Sequence, residues 1–254
     1  MACKAKQIAF LDTSVIVSKN FENENVKRKI HKALENFLKV TSTYVVMEFK
    51  RRVLKDLMYL HSILLEEQSV GDAQRRLANI SRSKRQLKMC FFIFAKIADM
   101  SNQDRDMVLL RLENMIRLFE SLYLHDVKIY ESGTKCELVN RKPIKTDVGS
   151  YDFSPPWSCT RRILQCYIED FLKQNHRQIK SLSACLPKDS AWKNHTRLLK
   201  KILGDTSFAR GNNCMTLGDT IIALDAPDNA VIYSTNKKDF GPICRCLNRK
   251  FNPL

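Results

Sequence analysis

Glycine and proline are scarce in this chain, with 7 of each among 254 residues. A barrel or sandwich of many short strands needs a turn residue every few positions, so the scarcity argues against such folds and favours helices. Long apolar runs are also missing, since the run from Cys90 to Ala95 is far too short to span a bilayer. We therefore expect a protein without a membrane partner.

Export signals and metal-binding cysteine patterns are missing as well. The start, MACKAKQIAFLDTS, lacks the apolar stretch and cleavage site of a signal peptide, so we expect a cytoplasmic protein. The 9 cysteines are odd in number and include no C-x-x-C pair, and the 5 histidines are scattered. We expect free thiols, and neither a zinc site nor a catalytic Cys–His pair.

Positive charge, in contrast, is present in large excess. Lys plus Arg number 43 and Asp plus Glu number 27, which gives a formal net charge of +16. Such a chain repels itself unless a polyanion neutralises it, and nucleic acid is the expected partner. A solvated basic surface is the alternative explanation. The 44% of hydrophobic residues is enough for a packed core.

Short apolar segments alternate with segments of helical spacing. Strands are predicted at 8–11, 40–43, 126–130 and 230–234, the third being only a candidate. The helices are predicted at 26–38, 44–65, two within 71–125 with a break near 100–102, 161–186, 190–203 and two after 216, with irregular connections at 128–156 and 204–215. This alternation predicts an α/β fold with a parallel sheet.

An apolar stripe from Cys90 to Ile97 lies beside a run of basic residues. Aromatic side chains next to basic residues can stack on bases. At this density they are more often the buried face of a helix, and we favour that interpretation.

Acidic residues recur where an open α/β sheet has its binding site, just past the carboxyl ends of strands. Asp12 ends the first predicted strand and Asp239 follows the last, while Glu48 and Asp219 lie near the starts of neighbouring helices. Four carboxylates brought together repel one another unless a cation is present. Oxygen ligands suit Mg²⁺ or Mn²⁺, so the pattern indicates metal-dependent cleavage of phosphodiesters.

Each acid also has a purely structural interpretation. Asp12 can be only a cap ahead of a helix, which Thr13 or Ser14 can cap as well, and Asp239 can stabilise a turn. Glu48 can pair with Arg52 on one helix face. Asp219 can be the third-position partner of Thr216 in a capping box. Only the joint placement of the four acids favours a functional site.

Four segments carry a resemblance to a known family: FLDTSVIV, TSTYVVMEFKRR, LGDTIIALDAP and VIYSTNKKDFGPIC. They resemble, in the same order, the motifs of PIN-domain nucleases, of which toxin ribonucleases of bacterial toxin–antitoxin pairs are familiar members. The resemblance implies an α/β/α sandwich with a central parallel sheet. It implies metal ligands at Asp12, Glu48, Asp219 and Asp239, and further site residues at Thr13, Thr235 and Asn236.

The middle of the chain departs from the small members of that family, since 171 positions separate Glu48 from Asp219. We therefore expect a single PIN-like domain over 1–254, with its core from 1–65 and 206–254. The residues between, 66–205, are expected to form a mostly helical insertion that also contains part of the core.

The function that the resemblance implies is a Mg²⁺- or Mn²⁺-dependent endoribonuclease that leaves 3′-hydroxyl and 5′-phosphate ends. The preference for RNA over DNA rests on the family resemblance alone, so a DNA nuclease remains an alternative. A non-catalytic RNA- or protein-binding PIN-like module is the other alternative, and a protein inhibitor or a second copy of the chain are further partners. The residues expected to contact phosphates are Arg51, Arg52, Arg75, Arg76, Arg82, Lys84, Arg85 and Lys88.

Overall fold

The computed structural model describes residues 6–79, 84–101, 103–153, 159 and 166–254, and for residues 84–89 the backbone alone. The chain divides into two compact units. The sheet unit comprises Met1–Glu48, Asp126–Asn140 and Ser158–Leu254, and the helical unit comprises Phe49–His125 and Arg141–Trp157.

The sheet unit is built on five parallel strands: β1 (Ile8–Leu11), β2 (Leu38–Ser42), β3 (Lys128–Tyr130), β6 (Ala230–Ser234) and β7 (Phe251–Pro253). Their order in the sheet is β3-β2-β1-β6-β7.

The central strand β1 has no polar face. Ala9, Phe10 and Leu11 are fully buried, as expected for a strand covered on both sides. In register, Leu11 faces Tyr233 of β6, while Phe10 faces Val40 of β2. The carboxyl ends of β1 and β6 therefore lie side by side at one edge of the sheet.

Helices connect these parallel strands. In the sheet unit they are α1 (Thr13–Phe21), α2 (Glu24–Leu34), α3 (Thr43–Phe49, whose last residue begins the helical unit), α9 (Ile168–Gln174), α10 (His176–Cys185), α11 (Ser190–Gly204), α12 (Asn212–Thr216), α13 (Gly218–Asp225) and α14 (Lys237–Cys246), with short 3₁₀ turns at Glu137–Asn140 and Thr206–Ala209. Asp12 caps α1 and Asn23 caps α2, each accepting a hydrogen bond from a backbone amide three residues later.

The helical unit has its own core. Its elements are a π-helical stretch (Lys50–Leu54), α4 (Lys55–Glu66), α5 (Val70–Asn79), α6 (Lys84–Asp99), α7 (Arg105–Arg117), α8 (Phe119–Tyr123) and an antiparallel pair, β4 (Pro143–Lys145) and β5 (Tyr151–Phe153). α4 buries Leu57, Leu60 and Leu64, at the spacing of one helix face. Lys50 is buried and pairs with Glu120.

Several predicted elements are confirmed. The strands at 8–11 and 230–234 have the predicted bounds, and the candidate at 126–130 contains β3. Helix α6 ends at Asp99, at the predicted break. Cys90, Phe94 and Ile97 are buried, which confirms the core interpretation for these residues, whereas Phe92 of the same stripe is exposed.

Other predictions are corrected. The described residues of the region 71–125 begin inside α5 and form four helices instead of two. The predicted helix 26–38 ends at Leu34 because β2 starts at Leu38. The connection 128–156 contains three short strands, and the loop at 204–215 contains a 3₁₀ turn and most of α12. The start of the helix predicted at 161–186 lies outside the described residues, and the remainder is split near Asn175 into α9 and α10.

The boundaries of the helical unit differ from those of the predicted insertion. The contacts group residues 49–65 with the helical unit and residues 158–205 with the sheet unit. That the helical unit is an insertion into a smaller domain stays a prediction.

The sequence predicts free thiols, but two of the cysteines are bonded to each other. Cys185 and Cys246 form a disulfide that joins the last residues of α10 and α14, 61 positions apart. Spacing along the chain gave no sign of this pair, because the fold alone brings the two helix ends together. Among the described residues, no helix is long and apolar enough to cross a membrane.

Candidate acidic site at the carboxyl ends of two strands

The connections of the sheet reverse direction beside β1. From β1 the chain proceeds to β2 and β3 on one side, and β6 and β7 then add on the other side. Ligands of open α/β sheets bind in the crevice at such a reversal, outside the carboxyl ends of the strands. Asp12 follows β1 at this place, and its backbone N–H donates to the carbonyl of Tyr233 at 3.2 Å.

Asp12 is a buried carboxylate with three donors. Ser14 Oγ donates to Oδ1 at 2.7 Å, the Val15 amide donates to Oδ1 at 2.9 Å, and Ser234 Oγ donates to Oδ2 at 2.8 Å. The pKa of Asp12 is raised to about 6, chiefly because burial desolvates the carboxylate and to a smaller extent because of the charge of Glu48, while these hydrogen bonds oppose the shift. The carboxylate is thus held in place while its charge lacks full compensation.

Glu48 approaches the same site from α3. Thr13, the residue after Asp12, donates its hydroxyl to Glu48 Oε2. A Cβ atom placed on Gly218 would lie 4.0 Å from Glu48 Oε1, so the start of α13 adjoins this carboxylate. Tyr44, one helical turn before Glu48, donates its hydroxyl to the carbonyl of Cys214 at 3.0 Å and so fixes α3 against α12.

The remaining two acids share one amide. Asn236 Nδ2 donates to Asp239 Oδ2 at 2.6 Å and to Asp219 Oδ2 at 3.5 Å. The backbone N–H of Asn236 donates to Ser234 Oγ at 2.9 Å, and that hydroxyl donates to Asp12. Hydrogen bonds therefore run without interruption from the first acid to the third and the fourth.

The structure thus brings the predicted acids to one edge of the sheet. Thr235 takes part through its backbone, because its N–H donates to Ser14 Oγ at 2.9 Å. One of the purely structural interpretations is also correct, because Asp12 caps α1. The capping-box interpretation of Asp219 is wrong, because α13 begins at Gly218 and its N-cap is Leu217, without a side-chain bond.

Sequence reasoning missed three polar residues here. Ser14 and Ser234 orient Asp12, and their positions after β1 and at the end of β6 were a usable signal. His195, on α11, has Nε2 2.9 Å from Thr220 Oγ1 and a hydrogen bond to the backbone of Thr216. Burial lowers the pKa of His195, and the charge of Asp239 opposes that shift. The local sequence around His195 carries no motif that reveals this contact.

The donor set suits a hard divalent cation in type, since all four acids offer oxygen ligands and one is a buried carboxylate whose three hydrogen-bond donors are uncharged. The spacing of these acids is looser than that of a formed metal site. Within the part of the chain that the structure describes, no group of three or more His, Cys, Asp or Glu side chains is placed to hold a metal ion.

The residues expected to contact phosphates belong to the helical unit. Arg51 and Arg52 lie in the π-helical stretch and are half-buried. Arg75 pairs with Asp72, and Arg76 pairs with both Glu66 and Glu67, so these two charges are partly compensated within the unit. Arg82 and the side chains of Lys84, Arg85 and Lys88 lie outside the described part of the chain.

Comparison of the chain with protein-family models, with curated proteins and with solved structures finds no match. The fold and the site define the chain as an α/β protein with a five-stranded parallel sheet and an acidic cluster where the sheet connections reverse. The resemblance to PIN-domain nucleases stays a prediction.

Proposed function

We propose that this protein is a metal-dependent endoribonuclease with a PIN-like α/β/α fold. The observation that carries the proposal is the hydrogen-bond chain from Asp12 through Ser234 and Asn236 to Asp219 and Asp239. Groups that repel one another are held together at the sheet edge where ligands bind, a costly arrangement that a bound cation would compensate.

Asp12, Glu48, Asp219 and Asp239 would hold Mg²⁺ or Mn²⁺. When bound, such an ion lowers the pKa of water and neutralises charge that develops on a phosphate. The protein supplies the positioning: Ser14 and Ser234 fix Asp12, Thr13 fixes Glu48, and Asn236 sets the separation of the last two acids.

RNA is the proposed substrate for two reasons. The net charge of +16 favours a polyanion. The choice of RNA over DNA rests on the resemblance to toxin ribonucleases, which also supports a protein inhibitor as a regulating partner.

A non-catalytic nucleic-acid-binding module is the second candidate. One observation favours it: among the described residues, no three or more potential ligands are placed to hold a metal ion. In such a module the acidic cluster would order the sheet edge without chemistry.

Cleavage of single-stranded RNA in the presence of Mn²⁺ separates the two candidates. Wild type is compared with Asp12→Asn and with Asp228→Asn, a control of equal charge change at a side chain that is 97% exposed. We expect Asp12→Asn to lose at least about a hundred-fold in rate, since a metal site supplies several kcal/mol of transition-state stabilisation. Asp228→Asn should cut like wild type.

Equal rates for wild type and Asp12→Asn would show that the acidic cluster is not the active site. Binding of RNA without cleavage by wild type would favour the second candidate. A parallel reaction on single-stranded DNA of the same sequence tests the substrate, and faster cleavage of that DNA would replace the endoribonuclease with a DNA nuclease.

A further inference from the structure

Two aromatic side chains on the sheet unit are unusually open to solvent. Tyr167 and Phe208 are each 45% exposed. A lysine lies over each ring: Lys135 Nζ is 5.7 Å from the centre of the Tyr167 ring, and Lys201 Nζ is 5.5 Å from that of Phe208. Both distances are within the range of a cation–π contact.

The two rings belong to neighbouring segments. Tyr167 immediately precedes α9, and Phe208 lies in the 3₁₀ turn Thr206–Ala209. Glu169 of α9 accepts a hydrogen bond from Arg210 Nε, which ties the segments together two residues after each ring. This ion pair also compensates the charge of Glu169, the acid nearest to the rings in sequence.

The backbone around both rings is held by hydrogen bonds. The Tyr167 N–H donates to the carbonyl of Thr134 at 2.9 Å, and Asn213 Nδ2 donates to the carbonyl of Phe208 at 2.7 Å. Lys135 has a φ of 42°, a left-handed conformation that lysine rarely adopts. The turn that requires this conformation places the Lys135 ammonium over Tyr167.

The ring segment leads directly into the acidic site. Asp219 follows Phe208 by eleven positions, and α12 lies between them. The carbonyl of Cys214 in α12 accepts the hydrogen bond from Tyr44, on the same helix as Glu48. A strand of nucleic acid held at the rings would therefore be held by elements that contact the acidic site.

We propose that Tyr167 and Phe208, with Lys135 and Lys201, form a platform that binds single-stranded RNA. Its bases stack on the rings once the two lysines turn from the ring faces to pair with its phosphates. Aromatic faces accept any base, so the platform selects unpaired nucleotides without reading sequence. An A-form duplex keeps its bases stacked on one another and offers no base face to the rings. The proposal rests on the proposed function for the choice of RNA.

Fluorescence anisotropy with a fluorescein-labelled single-stranded RNA tests the platform. Binding is measured in EDTA, so that no metal-dependent cleavage contributes. We expect Tyr167→Ala and Phe208→Ala each to weaken binding by about five-fold to a hundred-fold. Tyr167→Phe keeps the ring and should bind like wild type. The control Phe92→Ala removes a 38% exposed ring from α6 and should change the affinity by less than about two-fold.

Two further arms separate stacking from charge. Lys135→Gln and Lys201→Gln should each lower the salt dependence of binding, by about 0.7 in the logarithmic slope, whereas the ring variants should leave that slope unchanged. A blunt RNA duplex should bind the ring variants as it binds wild type. Equal loss on duplex and single strand would overturn the platform, as would ring variants that bind single-stranded RNA within about two-fold of wild type.

Failure of the platform and failure of the nuclease are distinguishable. Cleavage by wild type together with normal binding by the ring variants would overturn the platform and leave the nuclease standing. Ring-dependent binding by a wild type that never cuts RNA would support the platform and contradict the nuclease.

Discussion

Replacing Asp12 with asparagine should stabilise the metal-free protein at neutral pH. Asp12 is 3% exposed, and burial is the main cause of its raised pKa. Asparagine is nearly isosteric, caps a helix as well as aspartate does and carries no charge. A residue selected for charge at a binding site is commonly a cost to stability, and its removal relieves that cost.

The size of this gain in stability follows from the pKa shift of Asp12. The pKa of Asp12 rises from 3.8 to about 6, and one unit corresponds to about 1.4 kcal/mol, so the ionised form costs the folded state about 3 kcal/mol. The substituted asparagine can keep the hydrogen bonds from Ser14 and Val15 through its side-chain oxygen. It presents an NH₂ group to Ser234, and the loss of the hydrogen bond that Ser234 donates costs about 1 kcal/mol. The net gain is about 2 kcal/mol, or about 4 to 8 °C in Tm for a chain of this size.

The stability difference between Asp12→Asn and wild type should depend on pH. An acid whose folded pKa is raised penalises the folded state fully above that pKa, and the penalty fades as pH falls. The advantage of Asp12→Asn should therefore be largest at pH 7 to 8 and shrink below pH about 6, because the penalty of the ionised acid fades and vanishes near the ordinary value of 3.8.

Urea unfolding followed by tryptophan fluorescence in EDTA, at pH 8 and at pH 4.5, measures this difference. Asp228→Asn, at an exposed position, should show no such dependence. A variant less stable than wild type at pH 8, or a gain of equal size at both pH values, would refute the reasoning from burial.

Two more predictions concern contacts that hold the site. Asn236→Ala removes the amide that bridges the carboxylates of Asp219 and Asp239. RNA cleavage should therefore fall about ten-fold or more and require a higher Mn²⁺ concentration. A titration of the cleavage rate with Mn²⁺ measures this, and a titration curve like that of wild type would contradict it. Cys185→Ser opens the disulfide to Cys246 across 61 positions, which should lower the free energy of unfolding by about 4 kcal/mol. The free-thiol control Cys159→Ser should cost less than about 0.5 kcal/mol in the same urea titration.

The sheet centre and its acids could be predicted because their signals are local. Segments 8–11 and 230–234 are short apolar runs that end beside polar residues, and parallel strands place those ends at one edge. That geometry carries Asp12 and Asn236 into one site. Their separation of more than 200 positions does not matter, because each is fixed by its own strand.

The remaining features depend on contacts between distant elements. β7 and the β4–β5 pair are 3 residues long each, too short for an alternating pattern. His195 reaches Thr220 only because α11 packs near α13, and the disulfide forms because two helix ends meet. The helical unit begins at Phe49, inside a continuous helical stretch, where apolar spacing gives no sign of a boundary.

The proposed function requires the acidic cluster at the ends of β1 and β6 to hydrolyse RNA. The most direct test is the chemistry of the ends left when wild type and Asp12→Asn are incubated with end-labelled RNA and Mn²⁺. We expect 5′-phosphate and 3′-hydroxyl ends from wild type and no products from Asp12→Asn. Ends with 2′,3′-cyclic phosphate, which form when the RNA 2′-hydroxyl attacks, or equal cleavage by both proteins would contradict the claim.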